Sequence, residues 1–558
     1  MRLERIRIRN YRSIEDLTIY FPPNKPVILF GSNNAGKSNI LSAILNLRRF
    51  DPRYAVEPQW RPIANGASVY DTSSSNDMLM MKQHLDSLTE KFTNSGAPSR
   101  GCDSTTEITL TVDLRDRKEQ VIVGFIKCGS DDYLPYVKNK RVLLNLPLPA
   151  NREISFIQVW ESGSGDPSYY LDYLKTTRGE NNNGSPEWFL KLLPEIAKKV
   201  SDSIKGIKEF DRFPQGKGEN APADLFFVGS GQQSWVGRFG DLAAASVIKS
   251  AVDDLQLVLM DEPETHLHPN AEAQLWEKIQ TASEDGVQVI LTTHSENFLC
   301  MEDLEGFVRV YKENGVTKAC QLTKTELNST LDKNFGGVEN YYSVHFFSDQ
   351  MKGFFADTLL FVEGPTEYFA LPEYLSEEFL AKNGIQIINC RGKASIPLYW
   401  RLFNAYGYKC FILFDHDNST ISKIKERTDV EKDKEKRKQL QGQIESENEK
   451  NRKLEELCHF KASDNCLYSM SSIGACFKDN WDIYFEEALG DDYQTIKTTL
   501  QKMDVPFEKD KNKQLRAKAI AQEIKNQHYS VPPFISAIKV RLKALSEMSI
   551  NRYHRLKN

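Results

Sequence analysis

Two apolar runs of this sequence end in carboxylates. Thr358-Leu359-Leu360-Phe361-Val362 runs into Glu363-Gly364-Pro365-Thr366-Glu367, and Cys410-Phe411-Ile412-Leu413-Phe414 runs into Asp415-His416-Asp417. A strand that closes on an acid delivers it to the carboxyl edge of an α/β sheet, where sites form. Two such strands can gather four carboxylates. Crowded carboxylates repel one another, and hard cations such as Mg²⁺ relieve that repulsion. A pair of such ions can clamp the attacking and leaving oxygens of a phosphodiester. Glu367 lies one helical turn beyond Glu363, so a helix that follows the strand directly keeps both on one face.

A second chemistry lies near the start of the chain. Pro26-Val27-Ile28-Leu29-Phe30 reads as a buried strand and runs into Gly31-Ser32-Asn33-Asn34-Ala35-Gly36-Lys37-Ser38, with helical spacing from Asn39 to Leu47. This is a complete P-loop in its strand–loop–helix setting. Backbone N–H groups of the glycine-rich turn cradle phosphates, Lys37 neutralises the β/γ charge and Ser38 can ligate Mg²⁺. The helix N-terminus adds its positive dipole end. Asn33, Asn34, Gly36 and Asn39 complete the expected nucleotide-binding set. Further on, Leu255–Met260 is an apolar strand ending in Asp261-Glu262-Pro263-Glu264. Asp261 suits the Mg²⁺ shell, and Glu262 is placed to polarise an attacking water. Val289-Ile290-Leu291 then leads to Thr292-Thr293-His294-Ser295, which expects His294 at the γ-phosphate.

The elements around these residues set the architecture. Residues 2–21 alternate as a strand pair, and Thr106–Leu114 alternates as a strand. Residues 51–220 read as insertions, with loops at 71–76, 94–105 and 179–185 and helical periodicity over 186–207. A composition change near 345–356 divides the chain into 1–348 and 349–558. Residues 421–457 are rich in Lys, Glu, Arg and Gln with sparse apolar positions, which predicts an exposed helical hairpin. From 509 to 558 there are 12 Lys/Arg against 3 Asp/Glu, a basic segment suited to phosphates.

The chain has 558 residues, 40% hydrophobic and 27% charged, with a net charge of −5, so the surface as a whole does not announce nucleic acid. No apolar run approaches the roughly 20 residues of a membrane span, and charges interrupt the N-terminus at once. Nine scattered cysteines without a C-x-x-C pair fit a reduced, cytoplasmic protein.

The order P-loop, Asp-Glu, Thr-His-Ser resembles the ABC-type ATPases, in the branch shared with chromosome-structural and recombination-repair ATPases. Arg9-Asn10-Tyr11-Arg12-Ser13-Ile14 and Asp261-Glu262-Pro263-Glu264-Thr265-His266-Leu267-His268-Pro269 are typical of that branch. The resemblance implies a signature loop, which falls at Gly229-Ser230-Gly231-Gln232-Gln233 and departs from Leu-Ser-Gly-Gly-Gln. Ser230 and Gly231 would close on the nucleotide of another copy, implying a homodimer or higher oligomer. Glu363–Glu367 with Asp415 and Asp417 resembles the Toprim domain.

Together the two halves resemble the OLD (overcoming lysogenization defect) family. The implied fold is α/β: an N-terminal ABC-type P-loop ATPase domain with insertions, then a C-terminal Rossmann-like Toprim domain with a helical insertion. The implied activity is ATP-dependent DNA endonuclease in antiphage defence, beside a helicase-like protein or a reverse transcriptase with its DNA–RNA product, and without a membrane. Implied metal residues are Glu363, Glu367, Asp415, Asp417 and Glu486, with Mg²⁺ or Mn²⁺. Implied catalytic residues are Glu262, His294, Glu363, Asp415 and Lys513, although Lys513-Gln514-Leu515-Arg516-Ala517 has Gln514 where the family has proline. Lys511 and Lys518 are rivals to Lys513. The alternative is an ATP-gated nucleic-acid sensor or scaffold on an inactive Toprim fold.

Overall fold

The computed structural model describes residues 2–45, 59–62, 67–71, 106–113, 118–127, 133–138, 157–163, separate positions between 192 and 202, 230–252, 255–265, 267–331, 337–463, 465–507 and 512–557. The chain divides into two compact units, Met1–Thr323 and Lys324–Asn558.

The first unit is built on one sheet. Its strands are β1 (Arg2–Tyr11), β2 (Ile14–Tyr20), β3 (Val27–Phe30), β4 (Gln59–Pro62), β5 (Ala67–Asp71), β6 (Thr106–Asp113), β7 (Lys118–Lys127), β8 (Tyr133–Lys138), β9 (Ile157–Gly163), β10 (Leu255–Asp261), β11 (Gln288–Thr292), β12 (Phe307–Glu313) and β13 (Val316–Gln321). Their order is β4-β5-β8-β7-β6-β1-β2-β13-β12-β3-β11-β10-β9. The segment β12-β3-β11-β10-β9 is parallel throughout. Its central strands are buried along nearly their whole length, which is why they read as unbroken apolar runs. Because β11 sits between β3 and β10, the P-loop, Asp261 and the Thr-His-Ser turn emerge side by side. Three helices matter here: α1 (Lys37–Leu45), α2 (Ser230–Val252) and α3 (Pro269–Glu284).

One expectation changes in this unit. Residues 51–220 are not insertions alone, because β9 is an edge strand of the parallel core, paired with β10 from Leu255↔Ile157 to Asp261↔Gly163. Helical backbone occurs at the described positions between 192 and 202. Most of 51–220, including the loops at 71–76, 94–105 and 179–185, lies largely or wholly outside the described residues, as do Gly229, His266 and Lys511.

The second unit carries β14 (Thr358–Val362), α4 (Pro365–Leu375), β15 (Ile385–Asn389), α5 (Ile396–Ala405), β16 (Lys409–Asp415), α6 (Asn418–Val430), α7 (Lys434–Cys458), β17 (Tyr468–Met470), β18 (Gly474–Phe477), α8 (Trp481–Leu489), α9 (Lys513–Asn526) and α10 (Pro533–Glu547). The sheet order is β15-β14-β16-β18-β17. β15, β14, β16 and β18 are parallel, and β17 is antiparallel to β18. This unit starts at Lys324, earlier than the 348/349 boundary that composition suggests. The reason is aromatic packing. Phe346 packs against Tyr399 and Phe403 of α5, the Phe354 ring lies tilted at 4.7 Å from Phe403, and Tyr399 Oη donates to the His345 carbonyl at 2.6 Å. The charged stretch forms the antiparallel pair α6 and α7, whose far half is exposed. The basic C-terminal segment is amphipathic: Ile520, Ile524, Ile538 and Leu542 are buried, while most of its lysines face solvent.

Candidate functional site

In the first unit the P-loop turns tightly enough that only glycine fits at its base. Gly36 has φ +105°, and a Cβ there would lie 2.1 Å from Thr317 Oγ1. Thr317 in turn donates to the Ala35 carbonyl and meets Ser13 Oγ at 2.7 Å. Asn39 is held in this network by Arg12 at 3.1 Å and Ser13 at 2.7 Å. Lys37 is buried and donates to the carbonyls of Gly31 and Ser32 at 3.1 and 3.2 Å. Burial lowers its pKa, against the pull of Glu262, Asp261 and Glu264. Asn33, Asn34 and Ser38 are exposed at the mouth of the loop, with Asn34 accepting from Lys312 Nζ at 3.3 Å.

The acidic side faces this loop. Thr292 Oγ1 donates to Asp261 Oδ1 at 2.5 Å and accepts from the Glu262 amide at 2.9 Å. That holds Glu262 in the left-handed region, φ +45°, where a β-carbon is strained. His294 Nε2 lies 3.6 Å from Glu262 Oε1, and its pKa is lowered by burial and by Lys37, so the ring is neutral near pH 7. Glu264 accepts from the His294 amide and from Thr293 Oγ1. Sequence reasoning did not single out Glu264 for this bracing part. Ser230 and Gly231 open α2.

In the second unit four parallel strands end on one edge, and each contributes a charged group. β14 is in register with β16 from Thr358↔Lys409 to Val362↔Leu413, which brings Glu363 beside Asp415. Glu363 Oε2 accepts from the Asp415 amide at 3.4 Å. Pro365 opens α4, and Glu367 caps it by accepting from the Gly364 amide at 3.1 Å. Asp417 sits at φ +57° before α6. β15 ends in Asn389-Cys390-Arg391-Gly392-Lys393, pinned by the Gly392 amide donating to the Glu363 carbonyl at 2.7 Å. Lys393 is buried and its Nζ lies 2.8 Å from Asp417 Oδ2. β18 leads to Asp482 in the first turn of α8.

The carboxylates sense one another. Burial pushes Glu367 up to about 7, and Glu363 and Asp482 add to it. Burial also raises Asp415 well above the carboxylate range, with further repulsion from Glu367, Glu363 and Asp417. Glu363 is raised by burial, opposed by Lys393. For Lys393 burial works against the charge, but attraction to Glu363, Asp417 and Asp415 prevails and its pKa is raised. All the acids here are hard oxygen donors, which fits Mg²⁺ or Mn²⁺ and not a soft metal. Among the described residues no three His, Cys, Asp or Glu side chains are grouped so as to hold a metal ion in this arrangement. Lys393 is the cation that these acids share in this arrangement.

Two expected members of the site, Glu486 and Lys513, are solvent-exposed. Glu486 is exposed on α8, and its charge acts on Tyr493; Asp482, one turn earlier, is the acid that acts on Glu367. Lys513 is exposed in the first turn of α9, while Arg516 is buried and bonded to Asp482 Oδ2 at 2.8 Å. Lys518 pairs with Glu373 at 3.5 Å. Lys393, Asp482 and Arg516 are absent from the sequence-derived set. The one available signal was a short strand, Ile385–Asn389, ending in a glycine turn.

Comparison with known proteins agrees with both halves. Residues 354–417 match the family described as overcoming lysogenization defect protein-like, TOPRIM domain. Residues 27–301 match an AAA domain described as putative AbiEii toxin, Type IV TA system, and residues 5–46 match another AAA domain. The Old nuclease of Escherichia phage P2 is 30% identical over 164 residues, 29% of this chain and 28% of that protein. Nod factor export ATP-binding protein I of Cupriavidus pinatubonensis is 34% identical over 65 residues, 10% of this chain and 20% of that protein. The matches thus span under a third of each relative's length. The SMC head domain from Thermotoga maritima overlaps with 58% of this chain and 100% of its own at 13% identity, with a TM-score of 0.30, too low to carry an argument. No helix among the described residues is long and apolar enough to cross a membrane. With a P-loop sheet in one unit and a parallel sheet edged by Glu363, Glu367, Asp415 and Asp417 in the other, the chain joins an AAA-type ATPase domain to a Toprim domain similar to that of the OLD family.

Proposed function

We propose that this protein is an ATP-gated, divalent-metal-dependent DNA endonuclease that serves in antiphage defence. The observation that carries the proposal is the burial and crowding of Glu363, Glu367 and Asp415 at one strand edge, where Glu363 raises the proton affinity of Glu367 and both raise that of Asp415. Such repulsion is costly unless a cation relieves it. Glu363, Glu367, Asp415, Asp417 and Asp482 would hold Mg²⁺ or Mn²⁺; Asp482 takes the place expected of Glu486 because it is the acid coupled to Glu367. An ion held there would supply hydroxide near neutral pH and would neutralise the leaving oxygen. Lys513 meets the phosphoryl group, because Arg516 is committed to Asp482. In the ATPase half, Lys37 and Ser38 bind the phosphates and Mg²⁺, Glu262 orients water, and neutral His294 hydrogen-bonds the γ-phosphate. Ser230 and Gly231 act on the nucleotide of a second copy. Defence partners of the helicase-like or reverse-transcriptase type fit the family.

A plasmid-nicking assay tests this. Open-circular or linear product is expected with Mg²⁺ or Mn²⁺, and its yield should change with ATP. DNA binding without product under any divalent metal would favour the scaffold reading.

The acids also predict a pH-dependent stability. The folded-state pKa of Glu367, about 7, lies above its ordinary 4.5, so its charged form opposes folding. That opposition is absent below pH 4.5 and grows as pH rises through 7. Mn²⁺ should therefore raise the melting temperature more at pH 8 than at pH 5, by scanning fluorimetry without nucleotide. Equal shifts at both pH values would remove the carboxylate assignment.

A further inference from the structure

Lys393 stands where a cation belongs. Its side chain is 4% exposed, yet it comes from a turn that also places Arg391 in solvent. Its ammonium is 2.8 Å from Asp417 Oδ2 and 3.9 Å from Glu447 Oε2. Glu363 and Asp415 attract it as well. Glu447 belongs to α7, the charged helix that sequence reading leaves as a solvated surface. Its other oxygen, Oε1, is bound by Lys450 at 2.6 Å. Four residues on, Asn451 Nδ2 donates to the His416 carbonyl at 2.8 Å, and four further on, Glu455 Oε1 meets His416 Nε2 at 3.1 Å. Residues spaced by four share one helix face. One face of α7 thus grips the Asp415-His416-Asp417 turn and offers Lys393 a second carboxylate.

We propose that Lys393 is a positioning residue that acts as the resident counter-cation of the Toprim acids. It holds Asp417 in the gathered arrangement before metal uptake, and passes from Asp417 to Glu447 when Asp417 turns to a divalent ion. The exchange is possible because Glu447 Oε2 already lies 3.9 Å from the same ammonium. It makes α7 a sensor of metal occupancy, through Glu447 and the His416 grip. The inference rests on the metal-site reading above, and its test separates the two.

The test titrates Mn²⁺ into the full-length protein without nucleotide, by calorimetry, and records melting temperatures with and without saturating Mn²⁺. Lys393→Met removes a charge that competes with the ion; at the effective dielectric of protein sites this is expected to tighten Mn²⁺ binding about tenfold. It should also lower the metal-free melting temperature by about 2–4 °C, and saturating Mn²⁺ should abolish that deficit. Lys393→Arg should restore the metal-free value. Glu447→Gln removes the receiving carboxylate and should weaken Mn²⁺ binding severalfold, a readout that survives even if Lys393→Met fails to fold. A deficit equal with and without Mn²⁺ would mark a purely structural lysine and overturn the proposal. Unchanged Mn²⁺ affinity in Lys393→Met and Glu447→Gln would do the same. Failure of the unmodified protein to bind any Mn²⁺ would instead remove the metal site itself, and the exchange with it.

Discussion

Asp415→Ala is expected to reduce metal-dependent plasmid cleavage by more than about 100-fold, while ATP hydrolysis by the same preparation stays unchanged. Asp415 is the acid most enclosed by others: Glu367, Glu363 and Asp417 all repel it, and its own amide donates to Glu363. Removing a group that merely supports a metal ligand costs about 10–100-fold, so losing a ligand at the centre of the cluster should exceed that. The fold should tolerate the change, because burial makes the charged form of Asp415 unfavourable and alanine relieves repulsion. A melting temperature equal to or above that of the unmodified protein, measured beside the nicking assay, separates lost chemistry from lost structure. Undiminished nicking by Asp415→Ala would sink the site assignment.

Much of this site is legible in the sequence for one physical reason. Parallel strands covered on both faces must be apolar along their length, so Thr358–Val362, Cys410–Phe414 and Leu255–Met260 announce both themselves and the residue that ends them. The P-loop is legible because its glycines answer to backbone geometry, as Gly36 shows against Thr317. What stays hidden depends on strand order. Lys393 follows a strand of ordinary composition, and Arg391-Gly392-Lys393 reads as a surface turn until β15 is known to lie beside β14. Asp482 and Glu486 sit one turn apart on α8, and local pattern does not say which of them reaches Glu367. The same holds for Lys513 and Arg516 on α9. The edge strand β9 escaped notice because Gln158, Glu161 and Ser162 break its apolar run, as an edge position allows. The grip of Asn451 and Glu455 on His416 is a tertiary contact within a stretch whose charge pattern, taken locally, means only solvent.

Glu262→Gln is expected to lower ATP hydrolysis by about 10²–10⁴-fold, the usual worth of a positioned general base, with ATP still bound. The geometry isolates this one function. The backbone of Glu262 is held by Thr292 whatever the side chain carries, so glutamine inherits the same left-handed turn. Lys37, the proposed phosphate ligand, keeps its place at Gly31 and Ser32. His294 is neutral and 3.6 Å away, so the change breaks no ion pair. Lys37→Met is the contrasting variant, which should lose nucleotide binding altogether. Run together in the nicking assay, the two decide how ATP gates the acids. If binding alone is the signal, Glu262→Gln with ATP fixes the enzyme in its nucleotide-bound level of cutting, and Lys37→Met fixes it in the nucleotide-free level. If each cut needs a hydrolysis cycle, both variants fall to the nucleotide-free level. Hydrolysis by Glu262→Gln at the rate of the unmodified protein would remove Glu262 from the water-orienting role and leave Glu264, which braces His294, as the next acid to test.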